Sequence, residues 1–217
     1  MKTLELFSGT KSFSKVATSL GHETLTFDNN PLLNPDKCLD IFDTKVPRGI
    51  DMLWASPPCT TFSVASISHY WKDGKPKNEK AIQGIAILAK TIDLIKTSTP
   101  KVWFIENPRG MMRKVIDGIF REYGITEYHH HTITYCQYGH KIMKPTDIWT
   151  NASWFKPRPM CKNGAPCHIS SPRGSKTGLQ GVYDMKWDKA RGRGVARSVV
   201  PPDLFQEIFK QYEKKED

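Results

Sequence analysis

No stretch of about 18 apolar residues, the length that a membrane-spanning helix needs, occurs in the 217-residue chain. A charged leader followed by a long apolar stretch is also missing, because the first residues, MKTLELFSG, enter a strand-like run directly. We therefore expect neither a signal peptide nor a membrane segment, and we expect a cytoplasmic protein that makes no membrane contact.

Cysteine is scarce, and the five cysteines form an odd set: Cys38, Cys59, Cys136, Cys161 and Cys167. Sparse, unpaired cysteines do not build the disulfide framework of a small secreted domain. They are typical of a reducing compartment, in which thiols remain available for catalysis or for binding a metal ion.

Acidic residues are outnumbered, with 22 Asp and Glu against 32 Lys and Arg and a net charge of +10. The imbalance is largest between positions 156 and 197, where ten basic residues accompany only Asp184 and Asp188. A local excess of positive charge is typical of a surface that faces phosphates, so we expect a polyanionic partner such as nucleic acid. A basic protein without such a partner is the alternative that charge alone leaves open.

Short apolar runs alternate with segments of helical periodicity along most of the chain. Strands are predicted at 3–7, 24–28, 51–55, 101–106, 132–135 and 147–150. Amphipathic helices are predicted between them, and a last helix begins at Pro201-Pro202. This alternation predicts an α/β fold with a Rossmann-like, doubly wound, mostly parallel sheet that has helices on both faces. In such sheets ligands bind beyond the carboxyl ends of the strands.

Residues 152–193 depart from this pattern, because they are rich in Pro, Gly, Ser and basic residues and have little periodicity. Aromatic residues within the segment nevertheless argue for some order: Trp154, Phe155, Tyr183 and Trp187. We predict a main domain formed by residues 1–151 and 194–217, with 152–193 as a small irregular insertion that takes part in target recognition.

A glycine turn follows the first predicted strand, in the order Phe7-Ser8-Gly9. Glycine lets the backbone approach a ligand, and the helix that follows offers free N–H groups at its start. Asp28 stands at the end of the second strand, where an acid can accept hydrogen bonds from ribose hydroxyls. Asp40-Ile41 lies where it could meet an adenine edge. An ordinary turn is the alternative interpretation of each segment taken alone.

Two further polar groups follow predicted strands. Pro57-Pro58-Cys59 places a thiol in a loop that two prolines stiffen, and a rigid loop lowers the entropy lost in aiming the thiol at an electron-poor carbon. Glu106-Asn107 places a carboxylate at a strand end, where partial desolvation suits it to share a proton with a heterocycle nitrogen. A buried structural cysteine and a strand-end cap are the alternative interpretations.

Taken in order, these segments resemble the motifs of the cytosine-C5 DNA methyltransferase family. The family's cofactor turn, Pro-Cys nucleophile loop, Glu-Asn strand end and late helix start correspond here to Phe7-Ser8-Gly9, Pro58-Cys59, Glu106-Asn107 and Val200-Pro201-Pro202. The resemblance covers residues 1–150 and the C-terminal helix. It implies a compact, phage-like enzyme of a bacterial or phage-infected cell, with S-adenosylmethionine as its cofactor and double-stranded DNA as its substrate.

The resemblance also implies a mechanism and a set of site residues. Cys59 would add to C6 of a flipped-out cytosine while Glu106 holds N3 and the exocyclic amine, and C5 would then take the methyl group. The cofactor pocket would be lined by Phe7, Ser8, Gly9, Asp28, Asp40, Ile41, Pro57 and Ser198. Nucleic acid would be contacted by Arg109, Lys144, Arg173 and Lys176. We expect the protein to be a monomer.

Several positions differ from the family's pattern. The family's usual Gln, Val and Asn are replaced by Thr60, Pro108 and Ser198. Its arginine-containing motif is replaced by residues 140–146, in which Lys144 is the candidate substitute, and its large recognition domain is reduced to 152–193. A tRNA cytosine-C5 methyltransferase and a catalytically silent protein that binds DNA or cofactor are therefore the alternatives. The presence of both Cys59 and Glu106 argues against the silent protein.

Cys161, Cys167 and His168 lie within eight residues of one another. Two thiols and an imidazole can hold Zn²⁺ and so order a small loop, with Cys136 available as a fourth ligand. The spacing is not that of a short Cys-x-x-Cys knuckle, so a pair of unliganded thiols in a surface loop is the alternative.

Overall fold

The computed structural model describes residues 1–169 and 198–216. Its strands are β1 Lys2–Leu6, β2 Glu23–Asp28, β3 Lys37–Cys38, β4 Met52–Ala55, β5 Trp71–Lys72, β6 Lys75–Pro76, β7 Val102–Pro108, β8 His129–Thr134 and β9 Pro145–Thr150. Its α-helices are α1 Ser12–Ser19, α2 Ile67–Tyr70, α3 Glu79–Ser98, α4 Met112–Glu122 and α5 Pro202–Glu216.

A seven-stranded sheet with the order β3-β2-β1-β4-β7-β9-β8 forms the centre of the fold. β1, β2, β3, β4 and β7 run parallel to one another, whereas β9 is antiparallel to both of its neighbours. The reversal has a local cause, since only residues 135–144 separate β8 from β9, too few for the crossover that a parallel pair needs. The predicted doubly wound, mostly parallel sheet is confirmed.

Both faces of the sheet are buried, so the central strands are continuous apolar runs. Leu53 on β4 and Ile105 on β7 face the layer formed with α3 and α4. Trp54 and Phe104, one residue away on the same strands, face the layer formed with α1 and α5. Since side chains alternate along a strand, Glu106 points to the same face as Phe104.

The C-terminal helix α5 completes the second layer, although it lies far along the chain from α1. Phe205 packs edge-on against Trp54, with ring centroids 4.8 Å apart, and against Phe13 at 5.4 Å. Phe209 stacks on Phe13 at 5.5 Å. All four rings are buried, so α5 is part of the core and holds α1 against the sheet.

The beginning of the predicted insertion packs against the same core. Phe155 is buried and lies edge-on to Phe104, with ring centroids 5.5 Å apart. Trp154 packs against Tyr212 of α5 at 5.6 Å. Residues 170–197 lie outside the described part of the chain, so the boundaries of the insertion remain a prediction.

Each of the six predicted strands has an observed counterpart: β1, β2, β4, β7, β8 and β9. The sequence does not predict β3 or the β5–β6 hairpin, because two-residue strands are too short to show an alternating pattern. Among residues 1–169 and 198–216, no helix combines the length and the apolar character that crossing a membrane requires.

Phe205→Ala should lower the free energy of unfolding by about 3–5 kcal/mol, because it leaves a cavity between α5, Phe13 and Trp54. Urea denaturation followed by circular dichroism measures the change. Gln206→Ala, at the next and exposed position of α5, is the matched control and should stay within about 0.5 kcal/mol of the parent protein. Equal losses in the two variants would show that α5 is not part of the core.

Candidate active site

Three loops meet at one edge of the sheet, because β1, β4 and β7 are adjacent, parallel and end on the same side. The loop after β1 contains Phe7-Ser8-Gly9, and the loop after β4 contains Pro57-Pro58-Cys59. β7 itself ends with Glu106-Asn107-Pro108. The polar groups that the sequence places after separate strands therefore converge.

The loop after β1 is held in a backbone conformation that L-residues seldom adopt. Phe7, Gly9 and Lys11 have φ angles of 56°, 47° and 57°. For a residue other than glycine this conformation costs about 1 kcal/mol or more, and such residues are concentrated at functional sites. Ser8 lies between them, and its Oγ is buried without a hydrogen-bond partner among residues 1–169 and 198–216. Both features fit a loop shaped around a polar ligand.

Asp28, at the end of β2, ties the neighbouring loop to this turn. Its Oδ2 accepts the Gly9 N–H at 2.9 Å. Its backbone carbonyl accepts the Leu39 N–H at 3.0 Å, which brings the following residues alongside. There Ile41 is buried and Asp40 is exposed. The residues predicted to line a cofactor pocket thus lie around one region of the sheet edge.

The C-terminal part of the chain reaches the same turn. The Val200 N–H donates to Ser12 Oγ at 3.3 Å. Ser198 Oγ lies 3.7 Å from the point where a Cβ on Gly9 would stand. The structure therefore brings Ser198, the last of the predicted cofactor residues, to the others.

The start of α1 differs from the expectation of free N–H groups. The buried Glu5 carboxylate accepts the N–H of Phe13 at 3.2 Å and that of Ser14 at 3.0 Å, and the Ser14 hydroxyl also donates to it. Burial raises the pKa of Glu5 to about 7, against the lowering effect of these hydrogen bonds. Because Glu5 already caps the helix, ligand contacts at this turn must come from the loop itself.

The loop after β4 is joined to β7 by one buried hydrogen bond. Asn107 has no exposed surface, and its Nδ2 donates to the Pro57 carbonyl at 2.8 Å. Farther along the loop, the Cys59 carbonyl accepts the N–H of Phe62 at 3.0 Å and that of Ser63 at 2.9 Å. Cys59 therefore lies in a tight turn, and the Asn107 hydrogen bond joins the start of this loop to β7.

Two glycines allow neighbouring elements to pack closely against this turn. A Cβ on Gly110 would stand 2.1 Å from the Phe62 carbonyl oxygen, and one on Gly84 of α3 would stand 2.3 Å from Thr61 Oγ1. The same Phe62 carbonyl accepts the Met111 N–H at 2.7 Å. A larger residue fits at neither position without displacement, so close packing holds the Cys59 turn from two sides.

Glu106 is buried, and its Oε1 accepts a hydrogen bond from the Tyr135 hydroxyl at 2.8 Å. Tyr135 has no exposed surface, and burial together with the Glu106 charge raises its pKa well above the ordinary value, so it stays a donor. Lys144 Nζ lies 4.5 Å from the centre of the Tyr135 ring. Sequence reasoning missed Tyr135, and its position at the end of a predicted strand was the only available signal.

Protein atoms enclose most of the Cys59 thiol, although the residue as a whole is exposed. Burial is the largest influence and raises the pKa of Cys59; the positive charge of Lys144 lowers it, and Glu106 raises it. Burial thus disfavours the thiolate, and the Lys144 charge partly opposes that effect.

The residues predicted to contact nucleic acid are described only in part. Arg109 is exposed directly after β7, and its N–H donates to the Pro145 carbonyl at 2.9 Å, so it lies next to Lys144. Arg173 and Lys176 lie outside the described residues. Two of the four predicted contacts therefore flank the edge that carries Cys59.

The predicted metal ligands form a separate cluster. The ligand atoms of Cys136, Cys161, Cys167 and His168 all lie within 4.8 Å of one another. The structure thus brings Cys136, the fourth ligand that the sequence offers, to the three residues that are close in sequence. Such a set could hold a metal ion.

Comparison with known proteins assigns most of the chain to one family. Residues 1–135 match the family model described as C-5 cytosine-specific DNA methylase. The protein named "Probable DNA (cytosine-5)-methyltransferase" from Frog virus 3 (isolate Goorha) is 33% identical over 223 residues, which cover 96% of this chain and 99% of that protein.

Solved structures share the fold at low sequence identity. The Entamoeba histolytica methyltransferase EhMeth has a TM-score of 0.51 and 14% identity, over 74% of this chain and 56% of that one. A candidate DNA modification methyltransferase encoded within an E. coli prophage has a TM-score of 0.50 and 15% identity, over 69% of this chain and 46% of that one. The chain therefore matches only part of the length of these two proteins, and the likeness shows the fold alone.

Gly110→Ala should displace the Phe62 backbone and with it the Cys59 turn. We expect a loss of about 1–3 kcal/mol in the free energy of unfolding, as for other overpacked sites, and an altered rate of Cys59 alkylation by iodoacetamide. Gly118→Ala on α4 is the matched control, because a Cβ there meets nothing within 4 Å, and it should leave the alkylation rate unchanged. An unchanged rate in Gly110→Ala would contradict the proposed packing of the turn.

Proposed function

Because the chain belongs to the C-5 cytosine-specific DNA methylase family, we propose that it transfers a methyl group from S-adenosylmethionine to C5 of a cytosine in double-stranded DNA. The observation that carries the proposal is the nearness of Cys59, on the loop after β4, to Glu106, near the end of β7, with loop and strand joined by the Asn107–Pro57 hydrogen bond. Addition to a pyrimidine needs a nucleophile that faces the plane of the ring and a carboxyl group at the ring's edge, and these two side chains supply both.

The turn after β1 fits S-adenosylmethionine, which has hydroxyl, amino and carboxylate groups. Ser8 offers a buried hydroxyl whose partner is not among the described residues. Asp28 accepts the Gly9 N–H at Oδ2 and the Asn30 N–H at Oδ1, and each oxygen keeps a further lone pair that can accept a ribose hydroxyl. Phe7 and Ile41 add apolar surface beside these groups. When bound, the cofactor supplies a sulfonium-linked methyl group, which is electrophilic.

Cys59 starts the reaction by forming a bond from its sulfur to C6 of the flipped-out base, which makes C5 nucleophilic. A bound S-adenosylmethionine would supply the methyl group that C5 takes, and its sulfur would keep the electron pair of the broken methyl–sulfur bond. Loss of the C5 proton to solvent returns an electron pair to the ring, breaks the bond from C6 to sulfur, and releases the Cys59 thiolate. Every bond formed to Cys59 is thus broken again, as covalent catalysis requires.

Glu106 supports the addition by binding the N3 and amino edge of the cytosine. A proton taken up from solvent and held between the Glu106 carboxylate and N3 keeps negative charge from building up in the ring when Cys59 adds, and it returns to solvent when the bond to Cys59 breaks. Tyr135 already donates to Oε1, so it fixes the orientation of the carboxyl group and leaves Oε2 for the base. Tyr135 is therefore a positioning residue, since it acts through Glu106.

Lys144 assists the first step by favouring the thiolate of Cys59. Burial raises the pKa of this thiol, and the Lys144 charge opposes that effect. The ammonium group is held at this place by its contact with the Tyr135 ring. We therefore assign Lys144 a part in activating Cys59 in addition to its predicted contact with nucleic acid.

A base inside a duplex cannot reach Cys59, so the target cytosine must leave the stack. The net charge of +10 and the exposed Arg109 beside the site suit a phosphate-bearing substrate. Positive charge does not by itself separate DNA from RNA. The decisive assay therefore includes both a DNA substrate and an RNA substrate.

Transfer of labelled methyl groups to duplex DNA, to tRNA and to a buffer blank tests the proposal. We expect label at C5 of cytosine in DNA. Cys59→Ser should abolish transfer, and Glu106→Gln should slow it by about 10²–10⁴-fold, because the amide cannot share a proton with N3. The affinity for S-adenosylmethionine, measured by titration calorimetry, should be unchanged in both variants, since neither side chain lies in the turn after β1.

Glu122→Gln is the matched control for Glu106→Gln, because Glu122 is an exposed carboxylate at the end of α4. It should retain full activity. If label appeared in tRNA alone, the substrate would be RNA and not DNA. Substantial transfer by Cys59→Ser would overturn the assignment of the nucleophile. Cofactor binding without transfer to either substrate would favour the silent protein.

A further inference from the structure

Residues 156–169 form a surface segment without apolar anchors, since none of them is buried. The segment nevertheless turns back so that Cys161, Cys167 and His168 meet. Ordering a chain costs about 1–2 kcal/mol of backbone entropy per residue, and burial of side chains usually offsets this cost. Hydrogen bonds of Lys156 and Arg158 to Gln211, Tyr138 and Gln137, with an ion pair from Arg158 to Glu207, hold the start of the segment. The turn from Cys161 to His168 needs another source of stability.

The spacing of the side chains at this point fits a four-coordinate metal. Cys161 Sγ lies 3.2 Å from Cys167 Sγ and 3.4 Å from His168 Nδ1, and Cys167 Sγ lies 3.6 Å from the same nitrogen. Around a tetrahedral zinc, with bonds of about 2.3 Å to sulfur and 2.0 Å to nitrogen, neighbouring ligand atoms stand about 3.5–3.8 Å apart. Small adjustments of the side chains would therefore close the site.

Cys136 completes the set from a different part of the chain. It is buried in the 3₁₀ turn Tyr135–Tyr138, and its sulfur lies within 4.8 Å of the other three ligand atoms. Three thiolates and one imidazole are soft ligands that favour zinc over the hard cations calcium and magnesium. The sulfurs of Cys161 and Cys167 are farther apart than the roughly 2.05 Å of a disulfide, so they are present as thiols.

Hydrogen bonds around the cluster hold the backbone that carries the ligands and one ligand side chain. The Cys161 N–H donates to Thr134 Oγ1 at 2.9 Å, and Gln137 Nε2 donates to Cys167 Sγ at 3.4 Å. The Ile169 N–H donates to the Lys141 carbonyl at 2.9 Å. Partners of this kind orient metal ligands and support their charge.

We propose that Cys136, Cys161, Cys167 and His168 bind one structural Zn²⁺. The ion joins the surface segment to the 3₁₀ turn that begins with Tyr135, the residue that donates to Glu106. With four protein ligands the site is closed, so the zinc holds the fold and does not activate water. Its removal loosens both the segment and the support of Glu106. The site does not depend on the proposed methyl transfer.

Metal analysis of the full-length protein tests the site directly. Protein reconstituted with Zn²⁺ and freed of excess metal should retain about one zinc per chain, as measured by plasma mass spectrometry. Replacement by Co²⁺ should give the intense visible bands of a tetrahedral site and the sulfur-to-cobalt charge-transfer bands of thiolate ligands. Absence of both signals in the folded protein would overturn the proposal.

Cys161→Ser and Cys167→Ser should each weaken zinc binding by at least about tenfold, since even the loss of outer partners has effects of this size. Cys38→Ser is the matched control, because Cys38 is an exposed thiol at the end of β3, outside the cluster. It should bind zinc like the parent protein. Equal zinc content in all three variants would contradict the ligand assignment.

A chelator added to the parent protein removes the metal without any substitution, so this test holds even if a variant fails to fold. Removal of zinc should lower the melting temperature by at least about 4 °C, and added zinc should restore it. A disulfide between Cys161 and Cys167 in freshly reduced protein, found by peptide mass spectrometry, would overturn the zinc site. So would a melting temperature that zinc and chelator leave unchanged.

Discussion

The buried hydrogen bond from Asn107 Nδ2 to the Pro57 carbonyl joins the two halves of the candidate active site. It forms because β4 and β7 are parallel neighbours with Ala55 opposite Ile105, so that their ends lie side by side. Leaving one of these buried polar groups without a partner would cost about 1–3 kcal/mol. Sheet register and this one bond therefore set the distance between the nucleophile loop and the carboxylate.

The other features of the site maintain that distance. Gly110 permits the backbone after β7 to approach Phe62, and the Tyr135 hydroxyl holds the Glu106 carboxyl group by a hydrogen bond. Tyr135 begins the same short turn that carries Cys136, so the support of the active site and the metal cluster share one piece of backbone. Chemistry at Cys59 thus depends on elements that make no contact with the substrate.

The sequence was most informative where a strand and a chemical motif coincide. Pro57-Pro58-Cys59 and Glu106-Asn107 follow continuous apolar runs, and the shared edge of a parallel sheet brings them together without further information. Tyr135 and the capping role of Glu5 escaped prediction for another reason. Each depends on which element packs against it, namely the reversed β8–β9 pair for Tyr135 and the start of α1 for Glu5, and the periodicity of a single strand does not record such contacts between elements.

Covalent capture of Cys59 tests the account most directly. DNA in which cytosine is replaced by 5-fluorocytosine has no proton to lose at C5, so the bond from Cys59 to C6 cannot be broken once the methyl group is transferred. With S-adenosylmethionine present, the account predicts a protein–DNA adduct that survives denaturation and maps to the Cys59 peptide. An adduct at another cysteine, or none under conditions in which ordinary cytosine is methylated, would contradict it.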